Sequence, residues 1–192
     1  MVENFVDYLI RTESLEEEYR DQSIYGLTLI IEKVVAYSVL FCFILLIGKV
    51  TEGLIFLAAF IFLRQTTGGF HAKSVPGCLI GSTLTVFAAL QISPVLMQEH
   101  EILFAVLLFL SSLCILVFAP INHPNLMLSK EEKKHLRLKG KLRLCAELGI
   151  VAMGYLLHMR WQQYIMISII ICAVFILLSK LIRQEVLEDE DR

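Results

Sequence analysis

Charge is scarce in this chain. Asp, Glu, Lys and Arg make up 19% of its 192 residues, against roughly a quarter in a typical soluble domain. They are missing from three long stretches, Ser74 to Gln98, Ile102 to Ser129 and Trp161 to Ser179, of 25, 28 and 19 residues. A bilayer needs about 20 such residues per helix, so the shortage excludes a water-soluble globular domain. Patterned cysteine is lacking too. Cys42, Cys78, Cys114, Cys145 and Cys172 follow no repeating spacing, which excludes a zinc-binding arrangement and a secreted disulfide framework. Internal repeats and low-complexity linkers are absent. Residues 1–25 have neither a basic start nor a single apolar block, and their acids (Glu3, Asp7, Glu13, Glu16, Glu17, Glu18) are not those of a signal peptide.

What remains is apolar: 57% hydrophobic residues and a mean hydropathy of +0.70. We expect an all-α integral membrane protein forming a single polytopic domain over residues 1–192, with about six transmembrane helices after an amphipathic N-terminal segment (1–25). In that segment Val2, Phe5, Val6, Leu9 and Ile10 recur at helical spacing, as for a helix lying on the membrane surface. Ser14 with Glu17 reads as a capping box that opens a second short helix containing Leu15 and Tyr19.

The six-span bundle (26–182) is expected as Gly26–Gly48, Leu54 to about Gln65, Cys78–Met97, Ile102–Ala119, Leu142–Leu157 and Trp161–Ile182. The second is short and should continue through Thr66-Thr67 to the glycine pair. The fifth carries Arg143 and Glu147, and the first carries Glu32-Lys33, groups that must pair or face an interior. Residues 120–141 read as a basic cytoplasmic loop, with Pro120 and Pro124 stopping one helix and Ser129 with Glu132 capping a charged helical segment. An acidic tail (183–192) closes the chain. With six spans, Arg11, Arg20, Arg64, Lys73, Lys130, Lys133, Lys134, Arg137, Lys139, Lys141, Arg143, Lys180, Arg183 and Arg192 share one side, fourteen of the 17 basic residues. Positive residues mark the inside, so both termini are expected in the cytoplasm.

The chemistry concentrates in Arg64 to Cys78, the polar, glycine-punctuated passage between two apolar runs. His71 and Cys78 lie seven positions apart, and Pro76-Gly77 predict a bend just before the cysteine. Cysteine is a poor nucleophile until a neighbour lowers its pKa, and an adjacent histidine is the usual partner. Cys42, Cys114 and Cys172 lie inside apolar runs and read as small core residues; Cys145 lies near the same face as Cys78. Gly68 and Gly69 would let a substrate backbone come close or supply N–H groups to an oxyanion. Arg64 would orient the site or bind a carboxylate, the plainer reading being an interfacial anchor.

Arg64, Gly68-Gly69-Phe70-His71-Ala72 and Cys78, with the later Ala119-Pro120, Asn122-His123-Pro124 and the basic loop, resemble the AgrB-type family of membrane peptidases. The resemblance implies a cysteine endopeptidase in the bacterial cell membrane that processes the precursor of a cyclic quorum-sensing peptide. Cys78 is then the nucleophile and His71 the base, both facing the cytoplasm. Attack near the C-terminal end of a short amphipathic propeptide leaves a thioester, which an internal Cys or Ser of the precursor resolves into a thiolactone or lactone. It also implies a homodimer. No cofactor, metal or nucleic acid is expected. Lys130, Lys133, Lys134 and Arg137 would steer an acidic part of the precursor, or else set topology against anionic lipid.

Two other classes remain open. A small carrier or channel would use Glu32, Lys33, Arg64 and Glu147 along a pathway, although no inverted repeat or matched pair of broken helices is visible. A membrane sensor or scaffold would need only the amphipathic N-terminus and the charged loop. A metal site on His71 and Cys78 lacks further ligands at suitable spacing.

Overall fold

A computed structural model describes residues 2–12, 16–69, 75–121 and 130–182. These residues form seven α-helices and one 3-10 turn, with no strand among them. The chain divides into two compact units, Met1–Leu46 and Ile47–Arg192.

In the first unit, α1 (Val2–Arg11) is the expected amphipathic helix, with Val6 buried and Phe5 and Tyr8 exposed. Thr12 donates its hydroxyl to the carbonyls of Tyr8 and Leu9, closing the helix end. The separate second helix does not form as expected. Ser14 and Leu15 lie outside the described residues, and Glu17–Tyr19 makes a single 3-10 turn that runs straight into α2 (Arg20–Ile47). This helix starts six residues before Gly26, because Arg20 holds Asp7 of α1 at 2.8 Å and fixes the first turn. Glu32 and Lys33 do not pair with each other. Adjacent helical residues point about 100° apart, so their side chains do not meet.

In the second unit, Gly48, with φ +74°, turns the chain into α3 (Val50–Thr67). Then follow α4 (Val75–Glu99), α5 (Glu101–Phe118), α6 (Lys130–Leu156) and α7 (Gln162–Leu181). The last helix is the axis of the unit: α3, α4, α5 and α6 all pack on it. Its sequence explains why. It is apolar all round, the pattern of a helix enclosed by others, and every residue from Gln162 to Ile170 is buried. The surrounding helices instead turn Ile80, Leu84, Phe109 and Ile102 (83% exposed) outward. Side chains this apolar can cover an outer surface when lipid rather than water meets it. Five helices, α2, α3, α4, α5 and α7, are long and apolar enough to cross a membrane.

The α4 backbone contains Pro94, which has no N–H to give the carbonyl of Leu90 four residues back. Lys49 supplies the missing donor, its Nζ lying 2.9 Å from the Leu90 oxygen. A proline inside an apolar helix is thus accommodated by a cation from the α2–α3 turn.

The predicted loop 120–141 and the predicted fifth span meet in one helix. From Lys130 the chain is helical without interruption through Gly140 to Leu156, so the segment from 130 onward is helix rather than loop. The charges that interrupt its apolar half turn inward. Arg143 donates to the Phe62 carbonyl at 2.6 Å and to Gln65 Oε1 at 3.1 Å, with its guanidinium 4.7 Å above the Phe62 ring. Glu147 is buried. Leu142, Ile150, Met153 and Leu156 face outward. At the far end Gly154 lies against Gln162, where a Cβ would come within 2.9 Å of the glutamine side chain, and His158 turns the chain into α7 with φ 54°.

Candidate functional site

The passage that carries the sequence's chemistry begins at the C-terminal end of α3. Phe56, Phe60 and Arg64 recur every four residues and so share one face of that helix. Phe56 stacks on Phe60 at 5.6 Å, Phe60 meets Phe175 of α7 edge-on at 5.9 Å, and Arg64 lies over the same Phe175 ring at 5.0 Å. The aromatic column gives the guanidinium a flat apolar seat and a cation–π contact. From there Arg64 donates to the carbonyl of Gly68.

This geometry explains both glycines. Gly68 ends α3 with φ +65°, its N–H returning to the Arg64 carbonyl at 3.1 Å, and a Cβ there would meet the Ile121 carbonyl at 2.9 Å. Gly69 has φ +119° and is buried. A Cβ on Gly69 would run into the Arg64 guanidinium and come within 3.2 Å of the Phe175 backbone. Left-handed backbone and close packing from two sides both require glycine.

Other elements close around the same corner. Ile121, just beyond α5, donates its N–H to the Thr67 carbonyl at 3.0 Å. Gly140 of α6 lies against buried Thr66, and Arg143 grips the last turns of α3 as described above. Arg137 donates to the carbonyls of Ala119 at 3.3 Å and Val117 at 3.1 Å, closing the open end of α5.

Cys78 lies across the passage in the first turn of α4, and it is exposed. The bend predicted at Pro76-Gly77 is absent, because the helix starts at Val75 and takes both residues into its first turn. Proline is tolerated there, since the N–H it lacks has no acceptor within the helix. His71, with Phe70, Ala72, Lys73 and Ser74, lies outside the described residues, as do Asn122, His123, Pro124 and Ser129.

The structure therefore brings Arg64, Gly68 and Gly69 into direct contact, with Cys78 exposed in the first turn of the helix that follows. Lys133, Lys134 and Arg137 lie on the first turns of α6, with Lys134 exposed; for Lys130 the backbone alone is described. Phe175 and Ile121 went unnoticed in the sequence, where each is one more apolar residue in an apolar stretch. The four-residue spacing of Phe56, Phe60 and Arg64 was the available signal. Among the described residues, no group of three His, Cys, Asp or Glu is placed to hold a metal.

Neither the curated proteins nor the solved structures compared with this chain gave a match. The sequence model of accessory gene regulator B matches residues 2–183, nearly the whole length. With a match that runs almost end to end over a helical membrane protein, the chain belongs to the AgrB family, whose members take part in processing quorum-sensing peptides.

Proposed function

We propose that the protein is a membrane cysteine endopeptidase that cleaves a short amphipathic propeptide and passes the acyl group to a nucleophile within it. One observation carries the reading. An exposed cysteine begins α4 beside a glycine passage that Arg64 braces, in a chain of this family. Cys78 sits where peptide dipoles at a helix N-terminus favour negative charge, and His71 takes the thiol proton.

The thiolate sulfur attacks the scissile carbonyl, the C–N bond breaks, and the amine leaves with the proton from His71. The resulting thioester retains acyl-transfer potential. An internal thiol or hydroxyl of the precursor then attacks it, gives up its proton to the Cys78 sulfur by way of His71, and leaves as a thiolactone or lactone ring. Gly68 and Gly69 leave room for the peptide backbone, and Arg64 fixes the carbonyl of Gly68 and hence the direction of the passage. Lys133 and Lys134, on the first turns of α6, would draw in an acidic part of the precursor; Arg137 also holds the end of α5.

Six spans fit this reading. Arg143 and Glu147 turn inward, so α6 offers lipid an uncharged outer face from Leu142 to Leu156 and joins the five more apolar helices. Both termini and the Cys78 passage then face the cytoplasm, where a thiol stays reduced. A homodimer in the bacterial cell membrane completes the reading.

The test is coexpression with a candidate precursor, comparing wild type with Cys78→Ala, His71→Ala and Cys145→Ala. Loss of cleavage in the first two alone supports the peptidase. Cleavage surviving Cys78→Ala, alongside a transport defect from changing Glu147, would instead favour a carrier.

A further inference from the structure

Ser179 carries a hydroxyl that nothing so far has used. It is fully buried on α7, and its oxygen has no hydrogen-bond partner among the described residues. Other helical hydroxyls bond back to a carbonyl about one turn earlier: Thr83 to Leu79 at 2.9 Å, and Ser93 to Ala89, Ser112 to Leu108 and Ser168 to Ile165 at 2.8 Å. For Ser179 the carbonyl four residues back is that of Phe175. Gly69 is pressed against this same carbonyl, where a Cβ on the glycine would lie 3.2 Å from both its carbon and its oxygen. A helical carbonyl points along the axis toward the residue four further on, so Gly69 lies beside Ser179. Burying a hydroxyl without a partner is unfavourable, and folded proteins keep few such groups without cause.

We propose that Ser179 is a substrate-binding residue, donating its hydroxyl to a backbone carbonyl of the propeptide as the peptide enters beside Gly68-Gly69. The proposal rests on the peptidase reading and names a contact for it. The two glycines present no side chain, and Arg64 is engaged with the Gly68 carbonyl and the Phe175 ring, so α7 supplies its donor through Ser179. In the peptide-free protein this hydroxyl is enclosed and unbonded; in the complex it gains an acceptor. That difference between the two states favours the peptide-bound one. The resting fold is less stable for it, as expected of a group kept for binding.

The test compares Ser179→Ala with Ser168→Ala, the same exchange on the same helix where the hydroxyl is satisfied. Each full chain is purified in detergent micelles and melted without peptide. Each is then assayed on a synthetic copy of the precursor that wild type cleaves in the coexpression test. Ser168→Ala should lower the melting temperature by about 1–6 °C, one hydrogen bond being lost, and leave KM unchanged. Ser179→Ala should melt no lower than wild type, because it removes a group without a partner. It should nevertheless raise KM about two- to tenfold with kcat within about twofold, the mark of a bond made equally to bound substrate and transition state. A clear fall in melting temperature for Ser179→Ala overturns the proposal without any peptide, since the hydroxyl would then be bonded in the resting fold. An unchanged KM overturns it as well. Wild type that cleaves no precursor defeats the peptidase reading itself, so the two failures are told apart.

Discussion

Lys49 offers the sharpest test of how the bundle accommodates a proline. Its ammonium reaches the Leu90 carbonyl at 2.9 Å, the acceptor that Pro94 leaves without its helical donor. A hydrogen bond to a charged group contributes about 1.5–3 kcal/mol, and Lys49→Met removes it while keeping the apolar stem. For a chain of this length that loss lowers the unfolding temperature by about 3–12 °C. Thermal unfolding in micelles, followed by helical circular dichroism, measures it.

The same substitution is then made with Pro94→Ala, which gives residue 94 an N–H to return to Leu90. With the acceptor supplied from within the helix, Lys49→Met should cost less than about 0.5 kcal/mol, and the coupling energy of the cycle should accordingly be about 1–2.5 kcal/mol. Equal losses in both backgrounds would refute the reasoning and leave Lys49 with some other role.

Two further outcomes follow from the passage and its surroundings. Gly69→Ala should destabilise the protein by about 2 kcal/mol or more, since backbone strain and overlap with Arg64 and Phe175 act together; a melting temperature within about 2 °C of wild type, by the same size scaling, would count against the packing described. Charge reversal at Lys133 and Lys134 should weaken peptide processing with membrane insertion unchanged, whereas Arg137→Glu should lower stability by about 1–3 kcal/mol because it uncaps α5; processing assays paired with thermal melts separate the two effects.

Much of the helical order was legible in the letters. Uncharged runs long enough for a bilayer marked α4, α5 and α7, and the continuation of α3 to the glycine pair followed from the shortness of the apolar run from Leu54 to Gln65. The start of α2 was misread, because Arg20 looks like an interfacial charge until its bond to Asp7 is known. The bend at Pro76-Gly77 was misread as well. Proline interrupts a helix interior but suits a first turn, and only the position of the helix start distinguishes the two. The division of residues 120–157 into loop and span failed for a related reason. Composition changes along α6, but the backbone hydrogen bonding does not.

The sequence by itself determined a helical membrane protein, its family, and a passage in which a cysteine follows a histidine and two glycines, because hydropathy and local residue chemistry are properties of neighbours along the chain. Tertiary structure alone decided why those glycines cannot be anything else, where Arg64 and Arg143 direct their donors, and that Glu147 is enclosed with its carboxyl oxygens unbonded among the described residues. Each of these depends on residues far apart in sequence, Gly69 with Phe175, Arg143 with Phe62, and Glu147 with the helices α3 and α7 that α6 packs against. Only the packing of α3 and α6 around α7 brings them together.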